Sequence, residues 1–342
     1  MPPLISPLTI EGEPDEGATQ ALVNHILAGG CSGLFVLGGC GEGAWLTGGR
    51  RAAVIRAVVR AAAGRAPVLA GIMLPATGPA VEAACQAAGE GADAVVLGSP
   101  YYFSMDDATQ RRHVETVLKA VPLPVLLYNI PQATHHKLSP ATVESVARHQ
   151  RILGIKDSAG DFEAFQGFLA IKKNQAAFRV LQGDEHLAAA SLLLGGDGLV
   201  PGMANFAPAL FVSLRRAAAN GDAATCAKLQ EEIADLCSLY THGHWLPALK
   251  AAVAALGIGN GLPSAPLGPA TKDQCRAVER VRERHALFPA SSSIRETREG
   301  SLPRNTLRLR SPLDSSKGRW LNGRRHSSMN WPVASPEVTY FH

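Results

Sequence analysis

Long apolar runs are missing from this chain of 342 residues: none reaches the roughly 18 residues that a bilayer span requires. The opening Met1-Pro-Pro-Leu-Ile-Ser has neither a basic stretch nor an apolar run of export-signal length. No membrane span is expected, and the cytoplasm is the expected compartment. Aromatic residues are scarce, at 6%, while the chain holds 34 glycines and abundant alanine, which disfavours an aromatic-rich β-sandwich. Six cysteines stand far apart at 31, 40, 85, 226, 237 and 275 with no C-x-x-C pair, so neither a disulfide framework nor a zinc knuckle is signalled. The histidine groups, His135-His136 and His242-x-His244, lack metal-ligand spacing and acidic companions, and no metal is expected.

A surplus of basic charge in the body is missing too, once the net +4 is divided along the chain. Residues 286–342 carry nine Arg and Lys against four Asp and Glu, whereas the preceding 285 residues carry 24 against 25. No nucleic-acid partner is expected for a neutral body. The final stretch is rich in Ser, Arg and Pro (Ser291-Ser-Ser, Arg304, Arg308, Arg310, Arg324-Arg325) and poor in aliphatic residues, so it reads as a disordered tail. A basic tail can touch phosphates; a solvated extension is the simpler reading.

What is present is a repeated unit. A short aliphatic or β-branched run is followed by a turn and then an amphipathic, Ala-rich stretch. Expected strands are 4–9, 33–39, 68–72, 94–99, 125–129, 152–157, 179–183 and 198–202, with helices over 17–28, 49–63, 79–90, 106–120, 140–149, 161–171 and 185–194. Leu34-Phe-Val-Leu and Val125-Leu-Leu are near-continuous apolar runs, as in a parallel sheet covered on both faces. Eight such units match a closed (β/α)8 TIM barrel over 1–206. Beyond it, 207–219, 222–240, 245–256 and 271–284 read as helices without strands, a C-terminal helical extension over 207–285, followed by the tail at 286–342.

In such a barrel catalytic groups belong at the C-terminal ends of strands. The sixth expected strand ends in Ile155-Lys156-Asp157-Ser158, one of only nine lysines in the chain. Two placements fit. Pointing outward, Lys156 pairs with a helix carboxylate; pointing into a dry barrel, its ammonium loses hydration, and the neutral amine becomes a nucleophile toward carbonyls. The fifth strand ends in Tyr128-Asn129-Ile130-Pro131, where a phenol can be a packed core residue or can pass protons to a substrate oxygen. Ser99-Pro-Tyr101-Tyr102-Phe103 puts three aromatics on a loop, hence at a site or a subunit contact. The loop Gly38-Gly39-Cys40-Gly41-Glu42-Gly43 precedes a helix and exposes backbone N–H groups suited to a carboxylate-sized anion. It imitates a dinucleotide fingerprint, but no acidic residue lies between Glu42 and Glu82 to hold a ribose hydroxyl.

Together these motifs, with Gly183-Asp184 and Gly198-Leu-Val-Pro-Gly-Met-Ala-Asn205, resemble the dihydrodipicolinate synthase and N-acetylneuraminate lyase superfamily over about residues 4–284. The resemblance implies a pyruvate-dependent class I aldolase or lyase with no cofactor beyond a covalent imine on Lys156. It implies proton relay by Tyr128, a Tyr102 that reaches across a dimer interface, and a 2-oxo acid carboxylate held by Gly39, Cys40 and Gly41. Gly183 and Val200 would line the pocket floor. It also implies a homotetramer built as a dimer of dimers, and small-molecule partners: a 2-oxo acid and an aldehyde. Two positions depart from the family. Its paired hydroxyls are here Gly39 and Cys40, and glycine has no side chain while a thiol donates weakly. The arginine that lysine-pathway synthases carry two residues after the proline of the Tyr-Asn motif is here Ala133. That change disfavours aspartate semialdehyde and favours a less acidic acceptor, sugar-derived or aromatic. The leading expectation is a Schiff-base lyase, by aldol cleavage, condensation or dehydration. The alternatives are 4-hydroxy-tetrahydrodipicolinate synthase, a catalytically weak binding or regulatory relative and, more distantly, a nucleotide-dependent oxidoreductase.

Overall fold

The computed structural model describes residues 1–285. The expected tail at 286–342 therefore lies outside the described residues. Helix starts follow their capping chemistry: Asp15, Thr47, Asp106, Ser139, Asp161, Asp222 and Thr271 each accept a bond from the backbone N–H three residues on. Each cap satisfies a donor the helix cannot and contributes about 1 kcal/mol. The helices are α1 (Glu16–Ala28), α2 (Gly48–Ala62), α3 (Thr77–Gly89), α4 (Asp107–Ala120), a single turn α5 (Pro131–Thr134), α6 (Pro140–Ala147), α7 (Phe162–Asn174) and α8 (Ala188–Leu193). After the last strand come α9 (Pro208–Ala219), α10 (Ala223–Cys237), α11 (Trp245–Ala254) and α12 (Lys272–Arg284).

The strands are β1 (Leu34–Val36), β2 (Val68–Gly71), β3 (Ala94–Gly98), β4 (Val125–Asn129), β5 (Ile152–Asp157), β6 (Arg179–Gln182) and β7 (Gly198–Leu199), all parallel and ordered β1 to β7. The run 4–9, expected as a first strand, is not one. Pro2, Pro3 and Pro7 offer no N–H to a ladder. Pairing is confined to a parallel bridge from Pro3 to Phe35, with Leu4 N–H donating to Phe35 O at 2.7 Å and Phe35 N–H to Pro2 O at 3.1 Å. The Met1 amino group donates to Leu199 O on β7 at 3.0 Å, so this extended segment spans the two sheet edges and closes the barrel.

Strand residues alternate between two cores. Phe35, Leu69, Ala94, Val96, Leu126, Tyr128 and Val200 pack inside the barrel. Their neighbours, among them Leu34, Val36, Val95, Leu127 and Ile155, pack outward against the helices. One irregularity decides the site. Val125 pairs with Ile152, but Leu126 pairs with Gly154, so Leu153 is an extra residue on β5. Without it, continuing alternation from the outward Ile152 would turn residue 156 outward. The bulge shifts the register by one, and Lys156 comes to lie beside the inward Tyr128. Gly154 makes this possible, at φ +147 and with the space of a Cβ taken by Arg179 O at 1.9 Å.

Gly154→Ala is accordingly expected to lower stability by about 2 kcal/mol or more, since it adds a methyl against backbone at a strained φ. Urea denaturation of the variant against the parent measures it.

Candidate active site

The β1–α2 loop is shaped before it is functional. Leu37 and Glu42 adopt left-handed conformations at φ +59 and +57, a cost tolerated where surrounding structure imposes it. A Cβ on Gly41 would meet Leu37 N at 2.8 Å and Leu4 O at 2.9 Å, which explains the glycine there. The N–H groups of Glu42 and Gly43 are spent inside the loop on Gly39 O and Gly38 O. Among the described residues no backbone acceptor takes those of Gly39, Cys40 or Gly41. Glu42 itself is buried and forms an ion pair with the buried Lys250 of α11, and it also accepts from Ser264 N–H. Lys250 donates to Leu262 O at 2.9 Å; burial lowers its pKa, and Glu42 opposes that shift. This pair ties the loop to the helices that follow the sheet. Removing one partner of such a pair typically costs about 3–5 kcal/mol, because the other charge is left buried alone.

Lys156 is 3% exposed and donates from Nζ to Tyr128 Oη at 3.0 Å. Its nitrogen lies 4.1 Å from the Tyr128 ring centroid and 5.1 Å from that of Phe35, and the two rings meet edge to face at 6.2 Å. Ser158 Oγ donates to the same phenol oxygen at 3.4 Å. Gly183 leaves room for this stem: a Cβ there would fall 2.7 Å from Lys156 Cε and 2.0 Å from Ser158 Oγ. Directly behind, Asn129 Nδ2 donates to Asp157 Oδ1 at 2.8 Å, which joins the ends of β4 and β5, and Asn129 Oδ1 accepts from Leu138 N–H at 2.9 Å, which ties in the segment before α6.

An inner cavity of about 180 Å³ opens at this end of the barrel, lined by Gly39, Cys40, Tyr128, Lys156, Gly183 and Val200 together with Ser158, Glu185, Tyr240 and Trp245. It joins an outer chamber of about 440 Å³ through shared walls at Gly39, Tyr128, Ile130 and Trp245. Of the three residues expected to cradle a carboxylate, Gly39 and Cys40 line the inner cavity, whereas Gly41 is turned into the packing and lines neither cavity. Cys40 is buried and its thiol is pushed up to about 12, chiefly by burial with Lys156 opposing, so it stays neutral and is no nucleophile at neutral pH. Tyr102 lines neither cavity; it is 83% exposed at φ +87, edge to face with Phe103 at 5.0 Å.

Among the wall residues, Glu185, Tyr240 and Trp245 escaped the sequence reading as site residues. Tyr240 Oη, Glu185 Oε1 and Cys40 Sγ converge at 3.0, 3.3 and 3.4 Å on the point where Gly202 would carry a Cβ. Glu185 also accepts from Met203 N–H at 3.2 Å. Burial raises the pKa of Glu185, and burial followed by the Glu185 charge raises that of Tyr240. Glu185 follows Gly183 by two residues at the end of β6, a usable signal. Tyr240 and Trp245 come from the helices after the sheet, and nothing local marks them. Among the described residues no group of three His, Cys, Asp or Glu side chains is arranged to hold a metal, and no helix is long and apolar enough to cross a membrane.

The sequence pattern of the dihydrodipicolinate synthetase family matches residues 1–284. The Escherichia coli (strain K12) protein named "Probable 2-dehydro-3-deoxy-D-pentonate aldolase YjhH" is 35% identical over 243 residues, covering 70% of this chain and 80% of that one. A 4-hydroxy-tetrahydrodipicolinate synthase of Sorangium cellulosum is 35% identical over 288 residues, 82% of this chain and 95% of that one. Among solved structures, YagE of Escherichia coli K12 in complex with pyruvate superposes with a TM-score of 0.80 at 30% identity, covering 84% of this chain and 98% of that chain. Dihydrodipicolinate synthase of Bacteroides thetaiotaomicron does so with a TM-score of 0.79 at 36% identity, covering 83% and 97%.

The Asp157 carboxyl behind the lysine is raised to about 6, burial outweighing the bonds from Asn129 and Ala159. The fold therefore binds this proton more tightly than the unfolded chain does. Its stabilising contribution is complete below about pH 4 and is lost as pH rises through about 6. Asp157→Asn, which imitates the protonated form, is expected to match the parent near pH 4 and to exceed it at pH 8 by up to about 3 kcal/mol. Urea denaturation at the two pH values measures the difference.

Proposed function

The chain belongs to the dihydrodipicolinate synthetase family, and we propose that it is a Schiff-base lyase in which Lys156 condenses with pyruvate or a related 2-oxo acid. The observation that carries this reading is the buried Lys156 Nζ at 3.0 Å from Tyr128 Oη, both lining a cavity shared with Gly39, Cys40, Gly183 and Val200. The neutral amine adds to the C2 carbonyl, and loss of water leaves the imine. Tyr128 supplies and recovers the proton for that departure, since its oxygen lies within hydrogen-bond reach of the nitrogen. In cleavage, the hydroxyl on C4 gives up its proton and the C3–C4 electron pair moves into the imine as an enamine. An aldehyde leaves, C3 is reprotonated, and water releases the 2-oxo acid. Condensation is the reverse.

The Gly39 and Cys40 N–H groups hold the substrate carboxylate, with Gly183 and Val200 shaping the floor. Glu185 and Tyr240 take the place of the hydroxyls that Gly39 and Cys40 cannot offer; their convergence over Gly202 supports this role. Ala133, on the wall of the outer chamber, leaves no arginine at the position used for aspartate semialdehyde, and this favours aldol chemistry on another aldehyde. No cofactor beyond the imine is needed for these steps. The exposed, strained Tyr102 and its partner Phe103 are a fitting subunit contact, and we assign them to the interface of a homotetramer of the dimer-of-dimers kind, with Tyr102 reaching toward the neighbouring site.

Borohydride reduction in the presence of labelled pyruvate is expected to add one mass increment at Lys156. Lys156→Ala should give no adduct and lose at least about a thousandfold in cleavage rate while keeping its circular dichroism spectrum. Tyr128→Phe should lose about 10²–10⁴-fold, the range of a positioned proton donor. An adduct at any other lysine, or full activity in Lys156→Ala, defeats the assignment.

A further inference from the structure

From the state of the polar groups in the outer chamber we infer a substrate class: the aldehyde partner is uncharged and has an aromatic or apolar body. This rests on the imine reading of Lys156 and goes beyond it. The chamber, about 440 Å³, is walled by Trp45, Met73, Tyr101, Ile130, Trp245 and Leu246, a size that accommodates a small ring compound. Its charged and hydrogen-bonding residues are largely committed elsewhere. Glu42 is spent on Lys250 and on Ser264 N–H. Thr134 Oγ1 donates toward Ile130 O at 3.1 Å and His136 O at 3.0 Å. His244 Nδ1 accepts from Leu246 N–H at 3.2 Å, and its ring stacks on Trp245 at 5.7 Å and 24°. Among the described residues no arginine or lysine lines the chamber.

These commitments discriminate. A polyhydroxylated aldehyde entering this space sheds several bonds to water and regains few, and each unpaired buried hydroxyl costs about 1–3 kcal/mol. Aspartate semialdehyde would bring a carboxylate and an ammonium to a wall lined, among the described residues, by no lysine or arginine, with Glu42 already paired and Arg51 interacting with the phenol of Tyr101, a larger penalty. An aromatic ring loses nothing polar and gains contact with two indoles and a phenol. The remaining polar atoms, Tyr101 Oη, His244 Nε2 and the indole N–H groups, leave partners for an oxygen substituent on the ring. Continuity with the inner cavity at Tyr128 and Trp245 puts the aldehyde carbon next to C3 of the enamine, where the new C–C bond forms and the aldehyde oxygen takes up a proton.

The test uses the full 342-residue chain. Borohydride trapping with pyruvate alone comes first, because absence of an adduct at Lys156 sinks the imine reading itself and with it the inference. Aldol formation from pyruvate is then compared for benzaldehyde, glyceraldehyde and aspartate semialdehyde by the mass of the adduct or its dehydrated form. Benzaldehyde is expected to exceed the other two in kcat/KM by at least about tenfold, each factor of ten being 1.4 kcal/mol. Trp45→Ala should lower the benzaldehyde value at least fivefold and the glyceraldehyde value less than twofold. With an adduct present, equal or better use of glyceraldehyde or aspartate semialdehyde, or no product from benzaldehyde, overturns the substrate class and leaves the imine reading standing.

Discussion

The site depends on one extra residue in a strand. Side chains on a strand alternate between faces, so the face of every residue after a given point is set by register. Leu153 is inserted opposite nothing on β4, and the count from Ile152 onward shifts by one. The amine of Lys156 thereby exchanges a place among the barrel helices for one beside the Tyr128 phenol. Gly154 is the residue that permits it, since the Arg179 backbone occupies the position of any Cβ. Glycine adopts this conformation without strain, and beyond it the ends of β4 and β5 are joined by the Asn129–Asp157 hydrogen bond.

The rest of the pocket divides the work between elements of different origin. Strand ends deliver the hydrogen-bonded Lys156 and Tyr128 and the small residues, Gly183 among them, that leave space beside them. The glycine loop leaves the N–H groups of Gly39, Cys40 and Gly41 without a backbone acceptor among the described residues, and it is tied down by the buried pair of Glu42 and Lys250, far apart in sequence. Helices after the last strand deliver Tyr240 and Trp245, which close the inner cavity and begin the outer one. The chemistry shared with the family sits at the strand ends. The outer chamber is walled largely by loop and helix residues, where exchange of side chains disturbs the barrel least.

Much of the architecture is legible from the chain. β4 and β5 have the bounds expected from their apolar runs, and most helices start within two residues of the expected position because Asp, Ser and Thr caps are local signals. The segment 4–9 misleads, since its apolar pattern is strand-like while the prolines around it remove the donors a ladder needs. Expected helix 185–194 is a 3-10 turn over Glu185–Leu187 followed by α8, with Asp184 capping the turn. Lys156, Tyr128, Gly39, Cys40, Gly183 and Val200 gather as the motifs suggest, while Gly41 serves packing and Tyr102 stands outside.

What the amino-acid order determined by itself is the set of local preferences: which runs are strands, where helices begin, and which residue types with carbonyl chemistry fall at strand ends. Such preferences act over a few neighbours. The direction in which Lys156 points was beyond them, because alternation within β5 is broken by a bulge that shows only in its pairing with β4. Closure of the pocket by Tyr240, Trp245 and the Glu42–Lys250 pair was equally out of reach. Those contacts join residues remote in the chain, and only the packed barrel brings them within hydrogen-bond distance.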